Sequence, residues 1–275
     1  MRKNRNLLLI PVFIAAVIMA LPLLWMLLTS LKGNEEIVSG IPSLLPQTVT
    51  LEQYDAVLFQ DVPFFTLLKN SLIVACGSSL IAILFGNLAA YGFSRYMPKH
   101  GDGILTLFLI AQLFPSVMLT VPFYSLMADA KLLNSYFSLI VANTSLALPY
   151  ATYMMKGYYD NLPKDLENAA CLDGCTRFQA YYRICVPLCS TGSIATFFMA
   201  FIISWDEYVL ALSLVTKEHL TTLPIGIVKA FVGQFSIRWG ELMASGVLLA
   251  VPPLVIFTLL NKYFVAGQVS GAIKE

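Results

Sequence analysis

The sequence predicts an all-α integral membrane protein with six transmembrane helices, and three observations predict it. Apolar residues make up 58% and charged residues 12% of the 275 positions, where soluble domains carry roughly 45–50% and 25%. Six stretches reach the about 20 consecutive, mainly apolar residues that one span requires. Between the fourth and fifth of them lies one connection far longer than the two to eight residues usual in helical bundles, and it carries helical signals of its own. A mean hydropathy of +0.75 excludes a soluble enzyme, and a net charge of +1 offers no basic field for nucleic acid.

The expected spans are residues 7–31, 72–93, 104–127, 137–155, 194–215 and 242–260. The first follows Arg2, Lys3 and Arg5 as a signal peptide would. It is nevertheless too long for a secretory apolar core and lacks a small-residue cleavage site, so it reads as a retained helix. Pro11, Pro22, Pro115, Pro122, Pro149, Pro252 and Pro253 fall inside spans, where each removes an N–H and kinks its helix. Lys and Arg are retained on the cytoplasmic side. With both termini inside, eleven of the 17 basic residues lie there and six outside, while Glu35, Glu36, Glu52, Asp55 and Asp61 crowd the first outer loop.

The long connection begins at Lys156 and runs to about Ser193. Pro163 suits the first position of a helix, Gly174 suits a left-handed stop, and Thr176 with Gln179 forms a capping box that starts a second helix through Phe178, Tyr181 and Tyr182. Pro187 is expected to redirect the chain into the fifth span. Such a helix-turn-helix with small and apolar side chains on its first helix suits insertion into a partner's groove; an amphipathic loop resting on lipid headgroups is the alternative.

The residues Asn168-Ala169-Ala170, Gly174, Ile184, Val186 and Pro187 match in spacing the Glu-Ala-Ala, Gly, Ile-x-Leu-Pro pattern that permeases of binding-protein-dependent ABC importers carry in this loop. The chain therefore resembles that MetI-like permease family, and the resemblance implies that Leu166, Asn168, Ala169, Ala170, Asp173, Gly174, Ile184 and Pro187 form the contact with an ATPase. Asn168 replaces the family's usual glutamate, exchanging an ionic contact for a weaker hydrogen bond; Asp165, Glu167 and Asp173 stand close enough in sequence to compensate.

Within that family the chain is similar to the MalG-like branch of carbohydrate importers. The similarity runs through Thr29-Ser30-Leu31-Lys32, residues 46–54, Asn70-Ser71, the run Ala90-Tyr91-Gly92-Phe93-Ser94-Arg95, Trp205-Asp206-Glu207-Tyr208, residues 223–226 and the tail. It implies a second homologous permease, two ATPase subunits that bind ATP and Mg, an extracytoplasmic sugar-binding protein, and residence in a prokaryotic cell membrane. It divides the chain into a first helix with its acidic outer loop (1–66), a core (67–262) with its coupling loop at about 157–190, and a cytoplasmic tail (263–275). In that tail Gly271, Ala272 and Lys274 are placed to touch the ATPase. The chain itself contains no Gly-x-x-x-x-Gly-Lys-Ser/Thr phosphate cradle, so it is expected to bind no cofactor and to catalyse nothing.

Asp206 and Glu207 are ionisable residues in apolar sequence, which points to a translocation path, or, if the helix ends early, to an interfacial belt with Trp205 and Tyr208. Asn87, Gln112, Asn143, Thr144 and Ser145 read as interhelical hydrogen-bonding groups. Cys171, Cys175, Cys185 and Cys189 form two i, i+4 pairs. Four thiolates can hold zinc, but a pair on a helix lacks the usual knuckle turn, and small buried thiols are the plainer reading. His100 and His219 lie in opposite loops, so no histidine metal centre is expected. A secondary carrier would need inverted repeats and a mid-membrane ion site, and neither is detected. An importer permease for a non-sugar solute stays open beside the carbohydrate reading.

Overall fold

The computed structural model of the chain describes the backbone of residues 3–39, 43–97, 101–233 and 236–272, with side chains from residue 11 to residue 261 among them. The principal helices are α1 (Lys3–Ser30), α2 (Phe64–Tyr96), α3 (Gly101–Ala111), α4 (Ser116–Asp129), α5 (Tyr136–Asp160), α6 (Lys164–Leu172), α7 (Arg177–Leu188), α8 (Ser190–Trp205), α9 (Val209–Leu214), α10 (Leu223–Phe231) and α11 (Trp239–Ala272). Among the described residues the extended pairing is a single bridge, Val232 with Ile237.

Among the described residues three helices are by themselves long and apolar enough to cross a membrane: Pro11–Ser30 of α1, α2, and Trp239–Asn261 of α11. Two bent pairs, α3 with α4 at 92° and α7 with α8 at 74°, are long and apolar enough only when taken together, the geometry of a broken span or a re-entrant loop. The third expected span is therefore not one rod. Its break falls at Gln112–Pro115, where Pro115 has no N–H to continue the helix and sits in an extended conformation (φ −55°, ψ 132°) ahead of α4. The remaining prolines of the spans lie within continuous helices. The fifth expected span also stops early, at Trp205, before α9 resumes at Val209.

The fourth expected span is α5. Its 25 residues give about 37 Å of helix, enough to cross, yet it is less apolar than the others because protein rather than lipid surrounds much of it. Leu139, Ala142, Ala147, Ala151, Met155 and Tyr159 are fully buried, and Asn143 Nδ2 and the Thr152 hydroxyl donate to carbonyls one turn back.

By packing, the chain divides into residues 1–66 with 223–252, and residues 67–222 with 253–275. In the first unit Gln53 is buried and donates to the Lys32 carbonyl (3.2 Å) and to Asn34 Oδ1 (3.0 Å). A Cβ at Gly240 would lie 2.5 Å from its Cδ, so a larger residue there would have to displace the Gln53 amide. Ser30 and Tyr54 share a hydrogen bond of 2.7 Å. Arg238 ties Asp61 (2.8 Å) to Glu241 and lies over the Phe231 ring.

In the second unit Ala82, Ala147, Ala151 and Ala200 form a seam of small side chains through which α2, α5 and α8 approach closely, as membrane helices do where apolar burial no longer drives association. Gly86 belongs to it, with a built Cβ only 3.1 Å from that of Ala151. Away from such seams, Phe13, Met19 and Leu23 of α1, Leu107 and Val121 of α3 and α4, and Leu254 and Leu259 of α11 are exposed. This surface suits hydrocarbon.

Candidate functional site

The connection from α5 to α8 is the expected pair of helices. Pro163 precedes α6 in an extended conformation, and Gly174 takes φ +89°, a left-handed turn that side chains resist. The Thr176 hydroxyl accepts the Gln179 N–H (3.2 Å), while the Gln179 side chain accepts the Thr176 N–H (2.8 Å). The expected redirection at Pro187 comes two residues later. The helix continues through Pro187 to Leu188 and the chain turns at Cys189.

Leu166, Asn168, Ala169, Asp173, Gly174 and Pro187 are exposed on this loop, whereas Ile184 is half-buried and Ala170 is buried. Leu172 is 89% exposed and Phe178 70%, so the loop presents an apolar ridge. Asp165 and Asp173 remain on the surface, but Glu167 does not, and this corrects the expectation that it compensates for Asn168. Its carboxylate turns inward, accepting Arg95 Nε at 2.5 Å and the Tyr91 hydroxyl at 2.7 Å. An acidic side chain on a partly exposed helix reads as a surface charge until its partner is seen.

Behind α6, the Tyr91, Tyr159 and Tyr181 rings pack together with Cys185 and Cys189, all buried. Tyr91 lies 4.6 Å from Tyr181 and 5.7 Å from Tyr159, centroid to centroid. The Tyr159 hydroxyl donates to Asn87 Oδ1 (2.8 Å), so α2, α5 and α7 meet here. Lys156, also buried, bonds Asp160 (2.6 Å) and Asp102 (2.7 Å), fastening α3 to α5. Sequence reasoning placed none of Arg95, Tyr91 and Tyr159 at the site, although Arg95 is the one cation in the last turn of an apolar helix.

The structure places Asp206 exposed, just past the end of α8. Glu207 is half-buried and its two oxygens accept the N–H groups of Leu210 (2.6 Å) and Ala211 (2.9 Å), capping α9. A Glu207→Ala change is expected to lower stability by about 0.5–2 kcal/mol, whereas Glu207→Gln keeps an acceptor and loses less. Thermal unfolding beside uptake checks this: lost uptake with unchanged melting in Glu207→Gln would instead put the carboxylate in the solute path.

The backbone of Gly271 and Ala272 closes α11, and their surroundings and Lys274 lie outside the described residues. Cys171 is exposed and Cys175 half-buried, apart from the buried Cys185 and Cys189.

Residues 82–269, a stretch that contains Arg95 and the α6–α7 helix pair, match the family described as binding-protein-dependent transport system inner membrane component. The chain belongs to this family. It is thus a multi-pass inner-membrane permease of the MetI-like fold, and not the catalytic subunit of its transporter. The permease is 38% identical to the sulfoquinovosyl glycerol transport system permease protein SmoH of Agrobacterium fabrum, over 95% of its own length and 93% of that protein. It is 31% identical to the trehalose/maltose transport system permease protein MalG of Thermococcus litoralis, over 98% and 97%. Among solved structures, a chain of a bacterial ABC transporter that imports the acidic polysaccharide alginate superposes with a TM-score of 0.75 at 18% identity, covering 96% of this permease and 98% of that chain.

Proposed function

We propose that this permease is one of two homologous membrane subunits of an ATP-driven carbohydrate importer, and that α6 seats in a groove of an ATPase subunit. The observation that carries the reading is the docking loop: an exposed apolar ridge around Leu172 on a helix whose inner face is fastened by Arg95. A helix held in this way transmits displacement where a flexible loop would absorb it. The sugars named for its relatives support the solute class. ATP and Mg reside on the partner ATPase pair, and an external binding protein delivers the sugar.

Both termini face the cytoplasm in this reading, with α6 and α7 on the same side. Burial pushes the Cys185 thiol up to about 12, while Cys171 is exposed. A maleimide reagent near neutral pH is therefore expected to label Cys171 readily from the cytoplasmic side only, and Cys185 only after unfolding, because the thiolate is the reacting species. Mass spectrometry of sealed right-side-out and inverted vesicles checks both. An Asn168→Glu variant is expected to change the salt dependence of ATPase docking, since it adds an ionic contact to the exposed face of α6; co-purification over a salt series reads it.

The deciding experiment is reconstitution with the partner permease and ATPase, followed by binding-protein-stimulated hydrolysis and uptake across a sugar panel. Solute uptake by this chain alone without ATP would overturn the reading, and uptake confined to a non-sugar solute would overturn its carbohydrate part.

A further inference from the structure

The docking helix α6 is covalently continuous with α5 through only Asn161–Pro163, whereas α2 lies 72 residues earlier at the contact with Glu167. Any movement of α6 therefore reaches α5 through the chain and reaches α2 only through side chains. Among the described residues, the ion pair that joins α6 to a membrane helix is Arg95 with Glu167, the two side chains being 6% and 10% exposed.

Arg95 does more than neutralise a carboxylate. Its Nη1 donates to the Tyr159 carbonyl (2.9 Å) and its Nη2 to the Leu162 carbonyl (3.0 Å), while Nε holds Glu167. These carbonyls belong to the end of α5 and the turn after it, where regular intrahelical donors run out; that of Tyr159 also accepts the Leu162 N–H at 3.1 Å. One planar guanidinium thus grips the end of α5 and the first turn of α6 at once, from the last turn of α2. Tyr91, one turn earlier on α2, holds the second oxygen of Glu167 and packs on Tyr181 of α7. Water has little access to replace any of these bonds.

We propose that Arg95 is a positioning residue, a mechanical joint that makes α6 and the ends of α2 and α5 move as one body, so that force applied to α6 is delivered to α2. The proposal rests on the importer reading above. Lysine carries the charge but not the rigid fork, so Arg95→Lys keeps the ion pair while giving up the grip on two carbonyls.

The test uses the complete reconstituted importer and reads solute moved per ATP hydrolysed, a ratio that general loss of stability does not change because it lowers both quantities together. Arg95→Lys is expected to co-purify with the ATPase at the wild-type ratio and to hydrolyse ATP within about twofold of wild type, while solute moved per ATP falls about tenfold, within the usual range of coupling between sites. Tyr91→Phe removes only the hydroxyl held by Glu167 and is expected to lower the same ratio about two- to threefold; it decides alone if Arg95→Lys does not assemble. An unchanged ratio in assembled variants, or uptake and hydrolysis falling in parallel, would overturn the joint. A wild-type assembly that hydrolyses ATP yet moves no solute would overturn the importer reading instead, so the two failures are distinct.

Discussion

Replacing Arg95 by alanine is expected to destabilise the chain by about 3–5 kcal/mol, because it takes the charge partner from the buried Glu167 carboxylate and removes a donor from each of the Tyr159 and Leu162 carbonyls. Removing one member of a buried ion pair is worse than never having had the pair, since the remaining charge keeps its desolvation penalty and loses its compensation. Glu167→Ala in the same background is expected to restore part of the loss, and the double-mutant cycle isolates the pair from the capping of α5. Thermal unfolding of the purified complex measures both effects. A loss under about 1 kcal/mol for Arg95→Ala would mean that water reaches Glu167 and that the pair behaves as a surface one.

Gly192→Ala is expected to be nearly as severe, about 3 kcal/mol, at the upper end for an overpacked core. A Cβ at position 192 would sit 2.5 Å from both Cγ and Cδ2 of Tyr158. Those atoms form the base of the ring, close to the α5 backbone, so the ring cannot swing clear as the tip of a long side chain would. Either α8 moves away from α5 or Tyr158 leaves its rotamer. Gly157→Ala is the matched control, because nothing lies within 4 Å of a Cβ there; no loss of thermal stability is expected for it. Recovery of the Gly192→Ala loss by Tyr158→Ala would confirm that the clash is the cause, and a harmless Gly192→Ala would refute it.

The helix-turn-helix of α6 and α7 was legible because its instructions are local. Gly174 adopts the left-handed turn its lack of a side chain permits, and Thr176 and Gln179 exchange their two hydrogen bonds within a single helical turn. The span breaks were less so. Seven prolines fall in the expected spans, but only Pro115 stands at a sharp break, since a membrane helix tolerates proline wherever its neighbours hold it straight. Glu207 shows the same limit, as its role follows from where α8 ends, and nothing in the apolar run before it marks Trp205 as the last helical residue.

The sequence by itself determined the solvent, the helical class, the family pattern of the loop and its caps, because hydropathy, turn chemistry and capping act over one or two turns of chain. Only the tertiary structure decided which charges are available to a partner. Glu167 and Asn168 are neighbours, yet one faces inward to Arg95 and the other outward. Successive residues of a helix point about 100° apart, and the side that becomes interior is set by a guanidinium 72 positions away.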